Sequence, residues 1–368
     1  MRGLGLTISI IFLLQSSSSP SEACTAFCLK RGDGIVVAKN LDWMIGDGFI
    51  VVNKKGISKT AFVNSHATPA RWISRFGSIT FNQFGKEFPL GGINQAGLVI
   101  EELSHSPSKY PAPDHRATVT ELQWIQFQLD NYESTAEVLA SDALLRISRL
   151  LFGLHYFVCD RFGSVAVIEF LDGRPVFYSG KQIRAPVLTN NSYANAVKYL
   201  GFHKEFGGEK LVSDSPDSPE RFVRAATLLK NDRPSQTSSI AEDALGVLAA
   251  VEQQDTQWSI VYDPRNLELF FKTREDSRIR SLKLADFDFS DNTPPMIAAV
   301  NSQKHESGEP LFFNYSVDRN RRLLDSVFEK LWMHGEIEKA AAEGLVEKLT
   351  EYAAFGRSEI ANKSAEVR

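Results

Sequence analysis

The spacing of hydrophobic positions changes several times along the chain, and each change marks an element. Residues 4–14 are predominantly apolar behind one early charge, Arg2, and a polar Ser-rich run follows, ending Ser21-Glu22-Ala23. A short apolar core with a small-x-small end is the pattern of a secretory leader, so residues 1–23 are expected to be removed after Ala23, leaving Cys24 first. Two β-prone runs, Thr25–Lys30 and Ile35–Asn40, then flank Arg31-Gly32-Asp33-Gly34, which predicts a hairpin. A three-residue turn over Gly32-Asp33-Gly34 pairs Arg31 with Ile35 and sets Cys24 opposite Asp42. Changing the turn by one residue moves that partner only to Leu41 or Trp43. Strict alternation points Lys39 away from the sheet face of Asp42, so both line one site only if the strand bulges or bends.

Farther along, the period lengthens. Val119–Asp130 carries an imperfect helical pattern through Leu122, Ile125, Phe127 and Leu129, and Ser134-Thr-Ala-Glu137 is a capping box opening a helix to about Leu145. Leu154–Cys159, Val165–Leu171 and Pro175–Tyr178 alternate as strands between turns at Phe162-Gly163 and Asp172-Gly173. Arg221–Leu229 and Ile240–Val251 are predicted helices, and Trp258–Tyr262 with Glu268–Thr273 a hairpin. Residues 274–318 show no period. Arg321–Tyr352 is strongly helical, in two helices broken near His334-Gly335, with an apolar stripe suited to docking on the domain or on another subunit; a homo-oligomer stays open. Helices clustered between blocks of antiparallel strands predict layered α+β packing, one domain over 24–318 with a helical extension over 319–368.

Composition narrows the function. With 43% hydrophobic and 23% charged residues and a net charge of −4, the chain has no basic surplus for nucleic acid. Beyond the leader no apolar stretch approaches the roughly 18 residues of a membrane span. The three cysteines, Cys24, Cys28 and Cys159, are too few for a disulfide framework. Cys24 and Cys28 on one strand would lie ~13 Å apart, beyond the ~7 Å a bridge allows. Cys159 fits a small buried hydrophobe. The seven histidines show no metal-ligand spacing, and there is no phosphate loop or Gly-x-Ser-x-Gly elbow, so neither cofactor nor metal is expected.

Cys24 is the candidate for chemistry. Freed by cleavage, it would carry an α-amine titrating near pH ~8 and a thiol near ~8.5, a base and a nucleophile on one residue. A carboxylate delivered there, Asp42, would hold the amine over the thiol. A lipid-anchored, non-catalytic envelope protein is the rival, although Glu22 fits poorly in a lipoprotein signal.

Cys24-Thr25, Gly34 and Lys39-Asn40-Leu41-Asp42-Trp43 resemble the opening of the choloylglycine hydrolase family, the bile salt hydrolases and penicillin V acylases. Gly92-Ile-Asn-Gln-Ala-Gly-Leu-Val99, Leu188-Thr-Asn190 and Ser218-Pro-Glu-Arg-Phe222 resemble its later motifs, in family order across roughly residues 24–275. The resemblance implies a four-layer αββα sandwich of N-terminal-nucleophile (Ntn) hydrolases. It implies Cys24 as nucleophile, Asp42 as holder of its amine, Asn190 as oxyanion donor and Arg221 as the late active-site arginine. Arg221 also falls in the first turn of a helix with Ser218 as N-cap and Pro219 at the first position, where a cation opposes the helix dipole; that favours a functional use. Two positions depart from the pattern. Lys39 stands where the family usually has arginine, and no asparagine occurs near Ser104, where the family has a second one. Glu101 and Glu102 match nothing assignable, and as strand neighbours they are expected to face opposite ways.

The expected activity is hydrolysis of a linear, non-peptide amide through a thioester, in the periplasm or outside the cell. Candidate substrates are small N-acyl amides: conjugated bile acids, penicillin V-like amides or N-acyl homoserine lactones. An amidase of ceramide- or ethanolamide-type lipids is the alternative within the class.

Overall fold

The computed structural model describes residues 24–63, 67–233, 238–301 and 310–366; the leader read over 1–23 lies outside them. Two antiparallel sheets face each other. One has six strands, with Thr25–Arg31 and Gly34–Asp42 at its centre between Val187–Leu188 and Thr256–Asp263. The other has nine, and Leu154–Cys159, Val99–Ser104, Pro89–Asn94 and Ser78–Asn82 run side by side within it. The space between them fills with inward-facing apolar side chains. Phe81 from the larger sheet meets the rings of Trp258, Tyr262 and Phe271 from the smaller at 6.0, 6.4 and 5.6 Å.

Helices cover both outer faces. Ile240–Ala250 packs on Gly34–Asp42 and Thr256–Asp263, and Ser218–Lys230 packs on Thr25–Arg31. Glu121–Asn131 packs on Pro89–Asn94 and Val99–Ser104 of the larger sheet. Capping boxes at Ser134/Glu137 and Ser239/Glu242 start two of the helices by satisfying free backbone N–H groups. The layers are therefore helix, sheet, sheet, helix, as expected. Val317–Met333 and Lys339–Glu366 form the C-terminal extension, separated at His334 and Gly335, whose φ of +76° ends the first helix. No described helix is long and apolar enough to cross a membrane.

Four expectations need correction. The hairpin turn has two residues: Arg31 pairs with Gly34, and Gly32 supplies φ +58° at the first central position, where a II′-type turn takes glycine. Thr25 therefore pairs with Asn40, and the same register puts Cys24 beside Leu41. The helix drawn from Val119 begins only at Glu121, because the β-branched run Ala117–Thr120 pairs in parallel with Leu145–Ser148; the next helix correspondingly stops at Ala140. Residues 274–318 contain strands: Arg280–Lys283 adds to Glu268–Thr273, and Met296–Ala299 adds to Phe49–Asn53. Such short strands owe their state to their partners and leave no period of their own. The helix bearing Arg221 starts at Ser218 itself, with Asp217 as its N-cap.

Candidate active site

The one-residue change of register decides what the site contains. Cross-strand partners share a sheet face, so pairing Ala26 with Lys39 places Cys24, Leu41 and Lys39 on the face turned toward the second sheet. Lys39 thus joins the site of Cys24 without a bulge in its own strand. Its ammonium reaches across to the larger sheet and sits 3.1 Å from a carboxylate oxygen of both Glu101 and Glu102. Neighbouring strand residues normally diverge, but both of these bend to one ammonium. Gly91, paired with Glu101, makes room: a Cβ there would lie 2.1 Å from the Glu101 carboxylate. A lysine inside the apolar run Val36-Val37-Ala38 requires a counter-charge once buried, and this was the available signal for the two glutamates.

Asp42 ends the second strand, where the register with Thr256–Asp263 shifts between Thr256 and Trp258. The Thr256 hydroxyl donates to Asp42 Oδ1, whereas Asp42 Oδ2 is buried and has no partner among the described residues. Burial pushes this carboxyl up to about 7, against the pull of the Thr256 hydroxyl and the Arg221 charge. The Cys24 thiol, 4% exposed, donates to the Asp42 backbone carbonyl at 3.9 Å. Burial drives the thiol far above its ordinary value; Lys39 pulls it back, and Glu102 and Asp42 add to the rise. Burial works to lower the Lys39 ammonium, but Glu102 and Glu101 outweigh it and hold it above an ordinary lysine.

Asn190 arrives from the other side of the hairpin. Leu188 pairs with Ala26, and the same antiparallel register, two residues on, brings Asn190 beside Cys24. Its Nδ2 donates to the Ser104 carbonyl at 3.0 Å, and its Oδ1 accepts from Arg221 at 3.0 Å. Arg221, 1% exposed, also donates to the Cys24 carbonyl at 2.8 Å, to Thr25 Oγ1 at 2.6 Å and to the Pro216 carbonyl at 2.9 Å. One guanidinium thus locks the first residue, the amide of Asn190 and its own loop together, which accounts for a cation in a first helical turn. Ser104, where no asparagine was found, contributes its backbone carbonyl and lines the pocket.

That pocket encloses about 400 Å³ including its mouth, lined at one end by Cys24, Asp42, Glu102 and Ser104. Leu41, Trp43, Phe84, Leu90, Phe152 and Leu154 make most of the rest an apolar box, with Gln83, whose Nε2 donates to the Ile45 carbonyl, as the remaining lining residue. The arrangement offers a thiol, an unfilled carboxylate oxygen, an amide N–H donor and an adjoining apolar compartment. Of the sequence-predicted residues, Cys24 and Asp42 line the pocket, while Asn190, Arg221 and Lys39 stand behind it, bonded to the lining residues Ser104, Cys24 and Glu102. Glu102 and Thr256 are further participants to which the sequence motifs gave no role.

Among the described residues, one histidine cluster has the composition of a metal set. His105, His155 and Glu169 bring ligand atoms within 4.8 Å of one another, a proximity their sequence spacing does not suggest. The two imidazoles stack at 4.7 Å with planes 13° apart. In-plane lone pairs on nearly parallel rings do not meet at one point, so the set does not fit a shared ion. His155 Nδ1 instead lies 3.2 Å from Glu169, and His105 Nδ1 lies 2.8 Å from the Ser108 hydroxyl. Burial holds His105 down at about 4, hence neutral at pH 7.

No family model matches the chain. A penicillin V acylase from Pectobacterium atrosepticum is 22% identical over 323 residues, 75% of this chain and 85% of that protein. Among solved structures, penicillin V acylase from Agrobacterium tumefaciens matches with a TM-score of 0.66 at 21% identity, over 75% of this chain and 91% of that one. A mutant conjugated bile acid hydrolase from Clostridium perfringens matches with a TM-score of 0.60 at 16% identity, over 78% and 98%. These relatives are amide hydrolases of the choloylglycine hydrolase family, acting on C–N bonds of linear amides; they match the resemblance carried by the motifs from Cys24 onward, and this chain has their αββα Ntn-hydrolase fold.

Proposed function

We propose that the protein is an amide hydrolase whose working form begins at Cys24, after removal of residues 1–23 in export to the periplasm or the cell exterior. The observation that carries this reading is the Oδ2 of Asp42, buried beside Cys24 with no partner among the described residues. A buried carboxylate oxygen without a donor is costly, and the α-ammonium of a freed Cys24 is a group of the right charge and position to satisfy it. While residue 24 remains in amide linkage, the thiol has no local base and burial keeps it protonated. Burial of the sulfur also speaks against the lipid-anchored alternative, in which it would be alkylated.

In the proposed cycle the α-amine takes the thiol proton and Sγ attacks the acyl carbon. Asn190 Nδ2–H donates to the oxyanion. The amine leaves with the proton carried by the Cys24 nitrogen, and water then opens the thioester and releases the acid. Arg221 positions Asn190 and the Cys24 carbonyl, and Lys39 stabilises negative charge on sulfur. The apolar compartment receives the acyl group, and penicillin V-like amides, conjugated bile acids and N-acyl homoserine lactones are the candidates to be compared in it.

Cys24→Ala is expected to abolish hydrolysis of every cleaved amide, with circular dichroism and melting temperature unchanged. Retained activity in that variant defeats the reading. A panel of N-acyl amides, scored by released acid, assigns the acyl class, N-acyl lipids included.

A further inference from the structure

The C-terminal helix Val317–Met333 lies behind the wall of the apolar compartment. Phe84, in the loop between strands Ser78–Asn82 and Pro89–Asn94, lines the pocket and packs its ring 5.2 Å from Phe152, another lining residue. Its other side meets Phe328 of the helix, centroids 5.9 Å apart at 73°, and both phenylalanines are fully buried. Phe328 in turn lines the groove between the two C-terminal helices, so the Phe84–Phe328 pair is the partition between that groove and the compartment beside Cys24.

The same helix fixes the loop that carries Phe84. Asn320, 1% exposed, accepts the Lys86 N–H at 2.8 Å. Gly85 runs so close to it, at φ +82°, that a Cβ would lie 2.9 Å from Asn320 Oδ1. Asn82 Nδ2 closes the turn on the Gly85 carbonyl at 3.0 Å. One turn from the helix end, Lys330 pairs with Asp47, in the segment that follows the lining residue Trp43. Two of the segments bounding the compartment are thus tied to one helix outside the sandwich.

We propose that this helix determines acyl specificity: Phe328 sets the depth of the compartment by holding Phe84 inward, and Asn320 sets the position of its loop. The compartment then suits a compact acyl group bearing an aromatic ring and excludes long alkyl chains. Neither residue touches the reacting atoms, so both act as positioning residues. The inference rests on reading the compartment as the acyl site, and the test separates the two.

A phenoxyacetyl and a dodecanoyl amide of the same chromogenic amine are compared for the full processed protein. Phe328→Ala is expected to raise the dodecanoyl-to-phenoxyacetyl ratio of kcat/KM by about tenfold or more, the scale of a changed hydrophobic subsite, through KM and without moving the pH profile. Asn320→Ala is expected to move it the same way, and Arg322→Ala, on the exposed side of the helix, to leave it unchanged. Phe328→Leu, a smaller truncation, carries the test should the alanine variant not fold. Binding of phenoxyacetate and dodecanoate to Cys24→Ala, read by tryptophan fluorescence, measures the compartment without turnover. A ratio that stays within about twofold in folded Phe328 variants, in both turnover and binding, overturns the inference. A shifted binding ratio in a protein that cleaves no amide supports the inference and overturns the catalytic reading alone.

Discussion

At the scale of single residues, the site depends on donors and charges fixed before any substrate arrives. Asn190 is the clearest case. Arg221 holds its Oδ1 and the Ser104 carbonyl takes one Nδ2 proton, which leaves the other proton of that nitrogen for the oxyanion of the proposed cycle. Losing one such donor typically costs ~3–4 kcal/mol of transition-state stabilisation. Asn190→Ala is therefore expected to lower kcat about 10²- to 10³-fold with a much smaller change in KM, as measured by steady-state kinetics. A loss expressed wholly in KM would mean that Asn190 binds the ground state instead. Cys24, Asp42, Asn190 and Arg221 were legible from short motifs because each motif is local. The partners of Lys39 were not, because Glu101 and Glu102 lie 62 and 63 residues away and meet it only across the space between sheets.

At the scale of elements, the contact from strand Gly34–Asp42 to strand Val99–Ser104 joins the two sheets through buried charge. Burial pushes Glu101 up to about 7 from 4.5, against the pull of Lys39. The folded protein therefore holds a proton there that the unfolded chain has lost between about pH 4.5 and 7. Stability is expected to fall as pH rises through that window, with the penalty fully present above it. Asp42, raised to about 7, contributes with the same sign while residue 24 remains in amide linkage. Glu101→Gln should reduce the slope of unfolding free energy against pH over this range in denaturant titrations. An unchanged slope would show that Glu101 titrates normally. The hairpin itself was legible, but its register was not: whether Gly32-Asp33 or Gly32-Asp33-Gly34 forms the turn is a choice of one residue, and that choice reverses which face Lys39 occupies. The short strands Arg280–Lys283 and Met296–Ala299 escaped for a different reason, since four-residue strands take their state from the neighbours they pair with.

At the scale of the molecule, two sheets and their helices place Cys24 at the start of a central strand and Asp42 at the end of the next. The layered architecture could be read from the order of helices and strands, and the C-terminal extension from its strong helical stripe. How that extension docks could not be read, because it depends on Asn320, Phe328 and Tyr352 meeting loops far away in sequence. Tyr352, for example, donates to the Thr60 carbonyl at 2.8 Å and packs its ring 5.6 Å from Phe62. All of this serves one claim, that a thiol and a free α-amine on residue 24 perform the chemistry. Intact-mass measurement of the catalytically active species tests it most directly. An unmodified chain beginning at Cys24 is expected; an active species that still carries the residues before Cys24 would contradict the proposed chemistry.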